Sequence, residues 1–306
     1  MTRYLLKRLG GALFVLIGII TLVFLIMQML PGDPAAIMLG FSCTEERVAV
    51  LRQELGLDDP LIVQYGRYLR NLTRGDLGRS MSKSMPVSRL IAQQMPATVK
   101  LAFAGLGCAI VLGVFLGVLS AKYHGTWVDT GCMMIALTGV SIPSFWLGLL
   151  LIFTFSVTLN WVPIVGTAGI GRLILPALAL GFRSAGLVAR LVRSSMLEVL
   201  SQDFIQSARA KGLRESRVLY RHALKNALIP VITVVGLQFG RLLAGSVVIE
   251  SVFGREGIGR LLVDAINVHD IPLVQGVVLV TAMSYVLVNL IVDLSYTLLD
   301  PRVRYR

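Results

Sequence analysis

DFIQSARAKGLRESRVLYRHALKNALIP, residues 203–230, is the stretch on which the reading of this chain turns. Phe204, Ile205 and Ala208 share one helical face, and Val218, Leu219, Ala223 and Leu224 continue with helical spacing. Arg209, Lys211, Arg214, Arg217, Arg221 and Lys225 form the opposite, basic side. Gly212 is a natural break between two short helices. The stretch is too polar to cross a bilayer and too helix-prone for a slack loop. Periodicity alone admits two readings: a basic amphipathic helix on anionic lipid, or a handle by which a partner grips the chain.

The flanking sequence supplies the context. Of 306 residues, 55% are hydrophobic and 15% charged, against about 45–50% and about 25% in soluble domains. With a mean hydropathy of +0.77, the class is an all-α polytopic membrane protein. The net charge of +12 would suggest nucleic acid in a soluble protein. Here the basic residues gather at the ends of apolar runs, as membrane topology requires, so no nucleic-acid partner is expected. Cys43, Cys108 and Cys132 form no CxxC pair; neither a disulfide framework nor a metal site is expected.

Six apolar runs follow in order: 9–30, 101–119, 131–159, 173–191, 228–249 and 273–299. The first has 22 residues, enough for a core of roughly 30 Å at 1.5 Å per residue. It exceeds a signal-peptide apolar region of about 7–15 residues and reads as a retained helix. Residues 31–96 read as a small extracytoplasmic lobe, with helices at 51–57 and 61–72. Pro143 is expected to kink or split the third run. Arg183 and Arg190 weaken the fourth, and Arg241 lies inside the fifth. The short loops on one side carry Arg3, Lys7, Arg8, Lys122 and the basic set from Arg193 to Lys225, which places both termini and residues 203–230 in the cytoplasm. The domain expectation is a first helix plus lobe over 1–96 and a five-helix core over 97–306.

Gln206-Ser207-Ala208, three residues, then Gly212 resembles the EAA motif of binding-protein-dependent ABC importers. SARAKGLRESRVLYRHALKNALIPV (207–231) is similar to the dipeptide, oligopeptide and nickel branch. So are LPGDP (30–34), GDLGRS (75–80), PATVKL (96–101), SIPSFWLG (141–148), GREGIGRLLVDAI (254–266) and NLIVDLSYTLLDPRVRY (289–305), all resembling its B-type permease subunit. Gln206 and Ser207 depart from the Glu and Ala of the motif's name, and Lys225 stands at its Pro.

The resemblance implies a type I importer permease in the bacterial inner membrane. Its partners would be a second, homologous permease subunit, two ATPase subunits and an extracytoplasmic solute-binding protein, all acting across the lipid bilayer. Gln206, Ser207, Ala208, Arg209, Lys211 and Gly212 would couple it to the ATPases. No GxxxxGK[ST] string occurs, so no cofactor is expected on this chain; ATP and Mg would sit on the partners. The chain itself is expected to be no enzyme. The solute would be a dipeptide or oligopeptide, with glutathione and metal chelates as alternatives. A gradient-driven secondary transporter is the rival class. Arg183 and Arg241 fall in the outer half of their spans at similar depth, counted at about 1.5 Å per residue. An intramembrane arginine faces a wet cavity or a partner. These two, with Ser141 and Gln238, are the candidate cavity residues; pairing with acids such as Glu250 is the plainer alternative. Asn289 and Asp293 read as packing or capping groups, and Trp146 and Trp161 as interface anchors.

Overall fold

A computed structural model describes residues 2–29, 35–36, 44–162 and 171–299. The LPGDP string, Cys43, the tail from 300 and the Asp293 side chain lie outside this description. Twelve α-helices account for most of it: α1 (Thr2–Met29), α2 (Glu45–Leu55), α3 (Leu61–Thr73), α4 (Val87–Lys122), α5 (Trp127–Ser141), α6 (Ser144–Leu151), α7 (Gly171–Leu200), α8 (Asp203–Ala210), α9 (Glu215–Arg217), α10 (Leu224–Val252), α11 (Ile258–Asn267) and α12 (Ile271–Leu299). Two π-helical segments, Ile152–Thr158 and Val218–Ala223, extend α6 and join α9 to α10. Five helices are long and apolar enough to cross a membrane, and six spans result if the bent pair around Pro143 counts as one.

That pair departs most from a simple reading. Residues 127–141 and 144–158 meet at 109°. Pro143 removes a backbone donor and confines Ile142 to an extended conformation (φ −79°, ψ 129°), so α5 must stop there. α4 also differs from expectation. It starts at Val87 and runs through Pro96, so the second span is 36 residues long and reaches into the segment read as a lobe.

The chain divides into two compact units, 1–96 with 257–286 and 97–256 with 287–306. In the first, Val87, Leu90 and Ile91 at the start of α4 pack with Ile258, Leu261, Ala265, Leu273 and Val277. The loop before α4 is pinned by Asp270. Its buried carboxylate accepts from Ser80 Oγ (2.5 Å), Ser82 N (2.9 Å) and Ser82 Oγ (2.8 Å). It also accepts from the Leu273 amide, capping α12. Burial pushes the Asp270 pKa up, but the bonds from Ser80, Ser82 and the Met81 amide outweigh it and hold the carboxyl below its usual range. A depressed carboxylate contributes stability above the unfolded value, about 3.9, that is lost as pH falls through the folded one. The protection factors of amides in residues 76–86, which correct for the intrinsic pH dependence of exchange, are therefore expected to stay high from pH 8 to about 4 and to fall only below that, whereas Asp270→Asn lowers them at neutral pH. Equal protection in the variant at pH 7 would refute the pin.

In the second unit α7 is central. It is the least apolar of the five spans and the most buried. Small residues let its neighbours approach to backbone contact. A Cβ on Gly181 would lie 2.2 Å from the Gly105 carbonyl of α4, and one on Gly186 would lie 2.2 Å from the Ala136 carbonyl of α5.

Candidate functional site

The stretch 203–230 folds as helix, turn, helix, with a different second half from that expected. α8 carries Asp203 in its first turn and Arg209 in its last, matching the helix dipole. It ends in a Schellman turn, in which Leu213 N donates to the Ala208 carbonyl and Gly212 N to that of Arg209. Gly212 has φ +75°, where a side chain is strained. Beyond it there is no second short helix. Residues 215–252 form one continuous helical span, with Pro230 inside it. The carbonyl that Pro230 leaves without a backbone donor and the wide turn at 218–223 do not stop a helix held by tertiary packing.

The apolar face of this element turns into the chain. Ile205, Ala208, Val218, Leu219 and Ala223 are buried in one core with Val118 and Ala121 of α4, Val188, Val192, Met196 and Val199 of α7, and Ala227 and Val231 of α10. Each fully buried large aliphatic contributes about 1.5–3 kcal/mol. The face that a lipid-surface helix would lay on a membrane is thus occupied, apart from Phe204. Gln206, Ser207, Arg209, Lys211 and Gly212 are exposed, while Ala208 packs inward. Arg209 forks onto Glu215 across the turn, Nη2 to Oε1 at 2.7 Å and Nε to Oε2 at 3.1 Å. This closes the loop with a pair that spacing alone did not single out. Both groups are solvated, so the pair is worth no more than about 1 kcal/mol. A cleft of about 420 Å³ beside it is lined by Lys122, Tyr123, Leu200, Arg209, Glu215 and Tyr220.

One node at the same end of the bundle escaped the sequence reading. Asp129, in the first turn of α5, is buried. It accepts from Arg193 of α7 at both oxygens, Nε to Oδ1 at 2.7 Å and Nη2 to Oδ2 at 2.8 Å. Ser120 Oγ of α4 and the Gly125 amide also donate to it. His124 Nδ1 lies 3.1 Å from both Asp129 Oδ2 and Arg193 Nη2. Three spans are therefore tied by one carboxylate, seven residues before the end of α7. The signal was a single acid opening an apolar run, opposite a basic set.

Farther along the spans, Leu180 of α7 lies within 3.6 Å of a Cβ placed on Gly245 of α10. The helices run in opposite senses, so Arg183 and Arg241 share one layer just inward of that contact. Both are exposed, and among the described residues neither has an ion pair or side-chain hydrogen bond. Ser141 is exposed at the Pro143 bend, whereas Gln238 is buried. Glu250 does not take up either arginine in this structure; it is fully buried and accepts from Thr98 Oγ1 at 2.7 Å. Trp146 and Trp161 are both exposed, as interface anchors would be, and Asn289 is half-buried.

These features define a multi-pass helical membrane protein whose fourth and fifth spans share a polar handle at one end. The chain belongs to the family of binding-protein-dependent transport system inner membrane components, whose model matches residues 113–305; the family's N-terminal model matches residues 1–102. Among its relatives is a putative peptide transport system permease protein of Brucella abortus (strain 2308), 47% identical over 313 residues and covering all of both chains. Another is a glutathione transport system permease protein of Salmonella typhimurium (strain LT2), 44% identical over 306 residues and again covering all of both. Two solved structures share the fold. An inward-facing MetNI methionine ABC transporter has a TM-score of 0.57 at 18% identity and covers 69% of this chain and 96% of its own. An amino acid ABC transporter with histidines has 0.53 at 15%, covering 68% and 94%.

Proposed function

We propose that this chain is a permease subunit of an ATP-driven importer of peptides, including glutathione-like ones, and forms half of the translocation path beside a second, similar subunit. The carrying observation is the division of labour in residues 203–223. The apolar face is locked into the core of α4, α7 and α10, and Gln206, Ser207, Arg209, Lys211 and Gly212 are left facing outward. A partner gripping the outward face moves the spans with it. Two ATPase subunits, which hold the ATP and Mg, supply that push, and this chain hydrolyses nothing. An extracytoplasmic binding protein delivers the solute. The motion is a rigid-body change of access to the cavity.

Peptides and glutathione carry carboxylates, and Arg183 and Arg241 are unpaired cations in one layer of the spans. In the assembled importer they line the cavity with Ser141, while Gln238 supports α10 from behind. The test is uptake into proteoliposomes holding the whole importer. Uptake is expected to require both ATP and the binding protein. Arg183→Ala and Arg241→Ala are each expected to lower uptake of a carboxylate-bearing peptide by roughly tenfold, equivalent to about 1.4 kcal/mol. Blocking the solute's carboxylate should erase most of that difference. Uptake driven by a proton gradient without ATP would overturn the importer reading. Equal loss for blocked and free peptides would overturn the role of the arginines alone.

A further inference from the structure

Helix α3 has no part in the handle or the cavity, and its surface is unusual for a helix in an aqueous lobe. Leu61, Tyr65, Tyr68, Leu69 and Leu72 share one face, Ile62 stands at its edge, and Arg67 and Arg70 lie opposite. The helix contains no acid. This face rests on α1. Tyr65 Oη and Thr21 Oγ1 are 2.7 Å apart. The rings of Tyr65 and Tyr68 pack on Phe24 at 5.2 and 5.8 Å, and Gln64 accepts from Gln28.

The depth of those contacts is informative. Thr21 lies five residues inside the outer end of the apolar span 8–26, or about 7.5 Å below it at 1.5 Å per residue. A helix whose tyrosine reaches that level is drawn down to the bilayer surface. The apolar face is also wider than α1 can cover. Leu61 and Ile62 remain 55% and 85% exposed, and Leu22, Leu25 and Ile26 of α1 are exposed as well. These α1 residues lie on a membrane span, so their open surface faces acyl chains, and α3 is held against that span by Tyr65 and Tyr68.

We propose that α3 lies in the outer interface of the bilayer, with Leu61 and Ile62 in the acyl boundary and Arg70 at headgroup level. The occupant of its open face is lipid. A basic polar face, tyrosines on the apolar side and absent acids are the composition of a helix that lies on a membrane, and tyrosine and arginine both suit the headgroup boundary. The segment read from sequence as an extracytoplasmic lobe thus contains a second membrane contact. It braces α1, which has few buried residues of its own.

Spin labels test this directly. Single cysteines replace Ile62 or Arg70 in full-length protein whose Cys43, Cys108 and Cys132 are changed to alanine. The protein is placed in nanodiscs of phosphatidylethanolamine and phosphatidylglycerol and checked for a monodisperse elution profile. The label at 62 is expected to relax several-fold more with oxygen than with a water-soluble nickel chelate, and the label at 70 to show the reverse. Preferential relaxation by the chelate at both positions would overturn the proposal in favour of an aqueous lobe. A label at 62 that is immobile and shielded from both reagents would overturn it in favour of a protein partner on this face. Repeating the measurement with the remaining importer subunits present should leave the pattern at 62 unchanged.

Discussion

Asp129→Asn is expected to abolish most import while leaving ATP hydrolysis in place. The asparagine keeps the shape and removes the charge that Arg193, Ser120 and the Gly125 amide all address. Breaking a buried ion pair from one side costs about 3–5 kcal/mol, because the other charge is left behind. Arg193 is 27% exposed, so water recovers part of this and the lower end applies. The mechanical consequence is larger than the energetic one. Arg193 stands on the helix that leads directly into α8, and Asp129 stands on α5, which meets α6 at the Pro143 bend. With the pair intact, a push on α8 that moves α7 also carries α5. Without it, α7 slides and the bent span lags. Import in proteoliposomes should fall at least tenfold, with ATPase activity within about twofold of the wild type, tenfold corresponding to about 1.4 kcal/mol. Asp129→Glu should retain a measurable part of import. The exchange Asp129→Arg with Arg193→Asp should recover more than either change alone. Wild-type coupling in Asp129→Asn would show that the node is only a local brace.

Gly186→Val is expected to prevent folding of the bundle. Its Cβ would sit 2.2 Å from the Ala136 carbonyl, and the atom it meets is backbone that cannot swing aside. Overpacking usually costs about 1–3 kcal/mol when side chains adjust; here α5 must move away from α7. Gly181→Val fails for the same reason against the Gly105 carbonyl. The control is Gly107→Ala in α4, where nothing lies within 4 Å. That change should be neutral or add up to about 1 kcal/mol of helix propensity. Thermal unfolding followed by fluorescence-detected size exclusion separates the outcomes. Wild-type melting in Gly186→Val would contradict the close approach of α5 and α7.

The chain shows unevenly how much of a membrane fold is written locally. The spans, the Pro143 break and the Gly212 turn were legible because each depends on a few consecutive residues and one physical rule. Helix ends were less so. α4 begins at Val87 rather than after Pro96, since packing on Ile258 and Leu273 carries the helix through the proline. The span after the handle begins at Glu215 rather than near Leu228, since Val218, Leu219 and Ala223 are held in the common core. Gln206, Ser207, Arg209, Lys211 and Gly212, named from the motif, are exposed on the handle, whereas Glu215, which pairs with Arg209 across the turn, was not named. Asp129 was not, because its partner lies 64 residues away and a lone acid carries no periodicity.

Composition and periodicity settle the class, the run of membrane-crossing segments and the position of the handle along the chain, because the length of an apolar run is set against the thickness of a bilayer one segment at a time. Which faces meet protein and which are left for lipid emerges from the packing of the helices. Lipid tails are as apolar as leucine, so hydropathy does not distinguish the two. α7 illustrates the point: arginines make it the poorest span by composition, and it is the most buried of them, because glycines at 181 and 186 bring α4 and α5 to its backbone while Arg183 and Arg190 point out through the side left open.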